Sequence, residues 1–197
     1  MRLPAALITI LICSGVPIVA QGLSVGVKGG GNFADVKFED SDATTARWFP
    51  VIGLFAVFSP HWGVSLQPEV LYSMKGARLG GSDAPTSLLI DYVETPVLGR
   101  VSLKAFGRRL YVVAGPSFAV RVRARTRTEF SGATEEIDIG DQVRRFDFGI
   151  AGGAGVEFGS LVFDVRYTYG LTDIDKDTTD PAAARNRVLA LTGGWRF

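Results

Sequence analysis

Leu189-Ala190-Leu191-Thr192-Gly193-Gly194-Trp195-Arg196-Phe197 is the stretch of sequence that decides the fold. Leucine, glycine, tryptophan and phenylalanine occupy its odd positions, whereas alanine, threonine, glycine and arginine occupy its even positions. Successive side chains of a β-strand point to opposite faces of the sheet. The alternation therefore predicts a strand with one apolar face that ends in an aromatic residue.

The same alternation recurs along the chain and predicts seven earlier strands. They lie at about residues 23–33, 49–58, 62–75, 89–103, 110–123, 145–158 and 161–171. The second of these is apolar on both faces, so the pattern leaves its orientation open. Prolines at positions 68, 96 and 116 weaken backbone pairing and predict bends or bulges in the sheet.

The connections between these strands alternate in length. Short ones are expected at 59–61, 105–108 and 159–160, and long ones at 34–48, 76–88, 125–144 and 172–186. Transmembrane barrels have this arrangement, with short periplasmic turns and longer external loops. The pattern predicts an all-β fold, an eight-stranded antiparallel up-and-down transmembrane β-barrel with both termini in the periplasm.

Residues 1–22 have the features of a signal peptide, which leaves residues 23–197 as a single barrel domain. Arg2 gives a positive start, a largely apolar segment follows, and Ala20-Gln21-Gly22 fits a cleavage site. After residue 22 no apolar run approaches the ~20 residues of a membrane helix. A closed barrel is the other fold that satisfies its backbone in lipid.

One face of the later strands is a continuous apolar band with aromatic residues near its ends. A soluble barrel would place its apolar side chains inside and its polar ones outside. A band of this size predicts contact with lipid. The net charge of +1 gives no reason to expect a nucleic-acid partner.

The opposite face carries charges of both signs, which an eight-stranded barrel would enclose. The expected interior network is Lys28, Glu69, Glu94, Arg100, Arg145, Asp147, Glu157, Asp164 and Arg166, to which Lys75, Arg121, Arg123 and Arg196 are added. Buried charges are costly unless they are paired. The first interpretation is a salt-bridged core that fills the barrel, and the alternative is a small conducting pore.

Four other features of the sequence resemble parts of known binding or catalytic sites. Arginines at 121, 123, 125 and 127 form a ladder that suits either lipopolysaccharide phosphates or acidic partners in the same hairpin. Aspartates at 173, 175 and 177 begin like a calcium loop, but Thr178 and Ala184 replace the required glycine and glutamate. His61 is the single histidine and lies in a short turn, and the glycines at 149–155 lack dinucleotide-binding spacing. We therefore expect no catalytic, cofactor-binding or metal site.

Several motifs resemble a known family, the PorT-like or "porin family" outer-membrane β-barrel proteins, found mostly in Bacteroidota. The matching segments are Gly26-Val27-Lys28-Gly29-Gly30-Gly31-Asn32-Phe33, Leu66-Gln67-Pro68-Glu69-Val70-Leu71-Tyr72-Ser73-Met74-Lys75-Gly76, Tyr92-Val93-Glu94-Thr95-Pro96-Val97-Leu98, Ala114-Gly115-Pro116, Asp164-Val165-Arg166-Tyr167 and Gly170-Leu171-Thr172. The resemblance covers nearly the whole chain after the signal peptide. It is specific for the fold and less informative about activity.

The resemblance implies the outer membrane of a Gram-negative bacterium and a C-terminal assembly signal formed by Trp195 and Phe197. The implied partners are outer-membrane lipid, lipopolysaccharide and, during biogenesis, the barrel assembly machinery, and the implied state is a monomer without cofactors. The expected function is non-enzymatic, with a structural, adhesion or assembly/secretion-associated role. The alternatives are a small channel for small solutes and, third, an outer-membrane lipid-modifying enzyme.

Overall fold

The computed structural model describes residues 22–37, 47–60, 63–79, 86–130, 133–140, 144–172 and 185–197. These segments form nine strands: β1 (Leu23–Lys37), β2 (Arg47–Phe58), β3 (Val64–Leu79), β4 (Thr86–Ala105), β5 (Arg108–Phe130), β6 (Ala133–Asp138), β7 (Phe146–Phe158), β8 (Leu161–Gly170) and β9 (Arg185–Arg196). No helix in the described segments is long and apolar enough to cross a membrane.

Eight of the strands close into an antiparallel barrel. Their order is β4-β3-β2-β1-β9-β8-β7-β5, and a β4–β5 pairing joins the ends of the row. The first and last strands pair from Gly26 with Arg196 to Lys37 with Arg185. The predicted eight-stranded up-and-down barrel is thereby confirmed, and the ninth strand, β6, pairs with β5 outside the barrel wall.

The two faces of the wall differ as the alternation predicts. Along β8, Leu161, Phe163 and Val165 are exposed, whereas Asp164 and Arg166 are buried. The same holds in β9, where the odd-numbered face points outward. Because the exposed face is apolar and the buried face carries the charges, this barrel has the polarity required in lipid.

The orientation of β2, which the sequence left open, follows from its partners. Phe55 and Val57 are buried, whereas Leu54 and Phe58 are exposed. The buried pair belongs to an apolar cluster in the interior with Leu98, Tyr111, Val113, Ala151 and Val162. The interior is therefore partly apolar, which explains why β2 is apolar on both faces.

The prolines interrupt the backbone pairing without changing its register. Pairing of β2 with β3 lapses between Phe55–Glu69 and Phe58–Leu66, next to Pro68. Similar gaps lie next to the prolines at 96 and 116, and the register is the same on both sides of each gap. Proline lacks the N–H group that donates to the ladder, so each gap is local.

The β-bulge lies elsewhere, in β5. Asp91 pairs with Arg123 and Tyr92 pairs with Arg121, so Val122 is an additional residue on the β5 side. An extra residue reverses the alternation beyond it. Arg121 therefore shares the inward face of β5 with Tyr111, whereas Arg123 and the arginines after it face outward.

The long connections contain more strand than predicted. Residues 125–144 were expected to be a loop, but β5 continues to Phe130 and β6 returns beside it. The segment from 121 to 130 therefore stands beyond the part of β5 that pairs with β7, which ends at Val120. At ~3.4 Å per residue, it extends roughly 30 Å along the strand.

Several predicted features fall outside the described residues. They are residues 1–21 of the predicted signal peptide (1–22), the single histidine, and the acidic segment that begins at Asp173. The expectations for these segments stay predictions.

Candidate functional site: the charged interior of the barrel

Glu69 is the centre of the charged interior. Its carboxylate accepts two hydrogen bonds from Arg166, at 2.6 and 3.0 Å, and lies 3.2 Å from the Lys28 ammonium. The Gln67 side-chain amide donates a further hydrogen bond of 2.7 Å to it. Its side chain is completely shielded from solvent. The spacing of two along β3 places Gln67 and Glu69 on the same inward face.

Asp164 completes this middle layer. Its two carboxylate oxygens lie 3.0 Å from Lys28 and 3.5 Å from Arg166. The middle layer, which we define as Lys28, Glu69, Asp164 and Arg166, therefore contains two cations and two anions. All four side chains are at most 5% exposed. Charges buried so deeply stabilise a fold only as hydrogen-bonded pairs, and this layer is neutral as a whole.

A second layer lies toward the short turns and is built around Glu157. The Glu157 carboxylate accepts a very short hydrogen bond from Arg100 and one of 3.0 Å from Arg196. Arg109 forms a longer ion pair with it at 3.6 Å. The Gln67 carbonyl oxygen accepts from Arg100 at 2.9 Å, so one glutamine connects this layer to Glu69.

Tyr111 lies between these two layers. The Arg100 guanidinium stacks 3.7 Å from the centre of its ring, and its hydroxyl is 3.5 Å from Asp164. The ring covers Gly155, where a Cβ atom would stand 2.3 Å from the tyrosine hydroxyl. Glycine at this position of β7 makes room for the aromatic ring inside a narrow barrel.

A third layer lies toward the long loops. Lys75 pairs with Glu94 at 2.6 Å, and its ammonium group lies 4.9 Å from the centre of the Tyr92 ring. Nearby, the Asn32 amide donates to the Ser73 hydroxyl at 2.8 Å. These polar contacts extend the filled interior toward the outer opening.

Among the described residues, the side chains of the middle and third layers leave little free volume between them. A cavity of about 20 Å³ lies between the middle and third layers, lined by residues that include Lys28, Lys75 and Glu94. A volume of that size holds one or two water molecules. Among the residues that the structure describes, no group of three histidine, cysteine or acidic side chains is arranged to hold a metal ion.

Seven of the nine predicted interior charges are buried: Lys28, Glu69, Glu94, Arg100, Glu157, Asp164 and Arg166. Asp147 is half-buried near the start of β7. Arg145 is exposed, so its predicted interior position is wrong. It precedes the first residue of β7, where strand alternation no longer determines its direction.

The arginine ladder is corrected as well. Arg123 is exposed, because the bulge at Val122 turns it outward, whereas Arg121 is half-buried and donates to the Arg144 carbonyl oxygen at 3.4 Å. Arg125 pairs with Glu136 of β6 at 3.5 Å, which agrees with pairing inside the hairpin. It also lies 3.8 Å from Asp91.

Sequence reasoning missed the uncharged members of the interior, Asn32, Gln67 and Tyr111. The alternation already placed all three on the inward face. Asn32 and Gln67 lie four and two residues from Lys28 and Glu69, and Tyr111 follows the outward residue Leu110. They were missed because the interior network was predicted from residues that are charged at neutral pH. Trp195 and Phe197 are 48% and 73% exposed on the outer face.

A closed eight-stranded barrel with an apolar outer face and a salt-bridged interior is the architecture of an integral membrane β-barrel. The chain belongs to the outer membrane protein beta-barrel domain family, whose model matches residues 19–176. This membership locates the protein in the outer membrane of Gram-negative bacteria. No curated protein matches the chain in sequence.

Solved outer-membrane structures are similar to the chain at low sequence identity. Neisserial surface protein A is 11% identical with a TM-score of 0.48, over 89% of this chain and 97% of that chain. The attachment invasion locus protein Ail of Yersinia pestis, in complex with the heparin analogue sucrose octasulfate, is 14% identical with a TM-score of 0.45, over 89% and 97%. OprG from Pseudomonas aeruginosa is 12% identical with a TM-score of 0.43, over 88% and 95%.

Proposed function

We propose that the protein is a non-conducting, non-enzymatic outer-membrane anchor that holds a β-sheet above the membrane surface. The observation that carries the proposal is the network of paired charges across the described part of the interior, where the cavity between the middle and third layers is about 20 Å³. Ion conduction needs a continuous water-filled path, and the charged groups that would line it are engaged with one another. The sheet consists of the outer parts of β4 and β5 together with β6.

The proposal includes an orientation and a location for the chain ends. Short turns of outer-membrane barrels face the periplasm. The 158–161 turn lies at the same end as both termini, because the Arg196 N–H donates to the Ser160 carbonyl oxygen and the Phe197 N–H donates to that of Val25. The 105–108 turn lies at this end as well, since Arg109 pairs with Glu157. Both termini are then periplasmic, and the sheet is extracellular. On the motifs quoted above, the proposal also includes membership of the PorT-like group.

Planar-bilayer recording of the purified barrel tests the anchor. We expect no stable single-channel currents from the wild type. The double variant Lys28→Ala with Glu69→Ala serves as the positive control, because it removes one cation and one anion and empties the centre without stranding a net charge. It should conduct measurably. Ohmic, ion-selective currents from the wild type would show that the protein is a small channel for solutes and not a non-conducting anchor.

The outward turn of the arginines supports lipopolysaccharide as the partner of this sheet. Arg123 is exposed on the outer face just beyond the bulge, and Arg125 follows on the same face. Arginine side chains bind phosphate with two parallel hydrogen bonds, and lipopolysaccharide carries phosphates at the membrane surface. We therefore propose that Arg123 and Arg125 contact those phosphates.

Thermal unfolding in two bilayers tests this contact. The wild type should gain stability when lipopolysaccharide replaces phospholipid in the outer leaflet, and Arg123→Gln should lose much of that gain. Arg108→Gln, at the opposite end of the barrel, is the matched control and should keep it. Equal gains in stability for all three proteins would exclude a phosphate contact at Arg123. The extracellular sheet would then have an adhesion or assembly role without lipopolysaccharide as its partner.

A further inference from the structure

At the short-turn mouth of the barrel, cationic side chains outnumber the carboxylates with which they can pair. A cavity of about 380 Å³ opens there, between the β4–β5 and β7–β8 turns. Four cations line it, namely Lys104, Arg108, Arg109 and Arg196, and in the described segments Glu157 is the one carboxylate in its wall. We call this set the cationic cup. Its lining carries a net charge of +3.

The Glu157 carboxylate in the wall of the cup is shared among three arginines. The same carboxylate pairs with the buried Arg100 and with both Arg109 and Arg196. One carboxylate neutralises one of three guanidinium groups. The side chain of Glu157 is 2% exposed, so it lies behind the two cup arginines, which are 41% and 20% exposed. The arginines therefore present their remaining N–H groups to the cavity.

The position of the cup explains why this excess is tolerated. Lys104 and Arg109 are partners across the β4–β5 hairpin, one step from the turn, so both lie at the rim. Arg108 is on the outer side of the same turn, with its guanidinium 4.5 Å from the centre of the Phe158 ring. Phe106, at the tip of the turn, is 98% exposed. The cup thus borders both water and the lipid-facing wall.

We propose that the cationic cup binds a phosphate group at the short-turn face of the membrane. Arginine forks match the geometry of phosphate oxygens, and several cations at one opening raise the local concentration of anions. The volume is in the range of small-ligand sites. Two sources supply this chemistry, a phospholipid headgroup of the adjoining leaflet and a free phosphate ester in the surrounding water. Arg108 and the exposed Phe106 favour the headgroup.

Titration of the full barrel in a phosphate-free detergent tests the proposal. The ligands are short-chain phosphatidylglycerol below its micelle concentration and, separately, inorganic pyrophosphate. Binding is followed by NMR shifts of the arginine side-chain N–H groups and by the melting temperature. We expect saturable binding by the wild type, and at least tenfold weaker binding by Arg109→Gln because a charge-assisted hydrogen bond is lost.

Two further variants make the result decisive. Lys104→Gln removes a rim cation without disturbing a buried pair, and it should also weaken binding. Arg145→Gln removes an exposed arginine from the opposite end, outside both proposed phosphate sites, and should bind as the wild type does. Binding of the lipid, alone or in competition with pyrophosphate, identifies a headgroup site, and binding of pyrophosphate with no competition by the lipid identifies a site for a soluble phosphate compound. Absence of saturable binding, or equal weakening by all three variants, would overturn the cup as a site.

Discussion

Replacing Glu69 with glutamine tests whether the interior is held together by charge balance. The carboxylate of Glu69 contacts both cations of the middle layer, Arg166 at 2.6 Å and Lys28 at 3.2 Å. In Glu69→Gln, Asp164 is the remaining anion and must serve two cations. It lies 3.0 Å from the lysine but 3.5 Å from the arginine. One buried positive charge is left without compensation, while the shape of the side chain is kept.

Removal of one partner from a buried ion pair costs about 3–5 kcal/mol. Glutamine retains an acceptor oxygen for the Arg166 guanidinium, so we expect the lower end of this range, about 3 kcal/mol, which is roughly a hundredfold change in the unfolding equilibrium. The double variant Glu69→Gln with Lys28→Met is the matched control. It leaves Arg166 opposite Asp164, restores neutrality, and should recover most of the loss.

Urea unfolding in phospholipid vesicles, followed by tryptophan fluorescence, measures these differences at neutral pH. The reasoning requires the double variant to be more stable than Glu69→Gln alone. If Glu69→Gln is as stable as the wild type, water already solvates the middle layer and the interior is not a sealed ionic core. If the two substitutions lower the free energy of unfolding additively, the neutrality of the middle layer does not contribute to the stability of the barrel.

Three further predictions concern the wall. Gly31→Ala should destabilise the barrel by about 1–3 kcal/mol, since its Cβ would stand 1.8 Å from the Trp48 ring, and Trp48→Ala should cancel most of that penalty in a double-mutant cycle. Substitution of both Trp195 and Phe197 by alanine should lower the amount of folded protein in the outer membrane more than it lowers the stability in vesicles, because both side chains are exposed on the lipid face. Equal effects in both assays would argue against recognition by the assembly machinery. Deletion of Val122 removes the extra residue of the bulge and should leave Arg123 opposite Asp91 and facing outward, so that a cysteine at position 123 keeps its reactivity with an impermeant maleimide; loss of labelling would place the bulge elsewhere.

The fold was predictable from the sequence because a transmembrane barrel repeats one local rule. Outward residues must be apolar and inward ones can be polar, so the period of two is visible wherever the interior is charged, as in β8. In β2 the rule fails, because Phe55 and Val57 face an apolar part of the interior and resemble their lipid-facing neighbours. Only the pairing with β1 and β3 determines which face is inside.

The ends of the strands were less predictable than their middles. β6 was missed because polar residues occupy both of its faces once the strands leave the membrane. A signal was present, since Ser131 and Gly132 separate two short runs rich in threonine and glutamate, and a two-residue connection with glycine is typical of a β-hairpin. The bulge had no comparable signal, because Val122 continues the apolar alternation of the strand.

Partner choice inside the barrel could not be read from the sequence. Glu69 and Arg166 are 97 residues apart, and their contact depends on how far each strand is shifted against the next around the closed wall. The alternation shows which residues of a strand point inward, but it does not show how high each residue lies along the barrel axis. It therefore supplied the set of interior charges but neither the division into layers nor the excess of arginine around Glu157.

The distribution of charge along the barrel axis follows from the depth of burial. In the middle layer, where side chains are at most 5% exposed, cations and anions balance two against two. At the short-turn mouth, where Arg109 is 41% exposed, three guanidinium groups share one carboxylate. An unpaired charge costs several kcal/mol in a dry interior but little beside water. Charge must therefore balance at the buried centre of the barrel, whereas the solvent-exposed mouth can carry unpaired cations at little cost in stability.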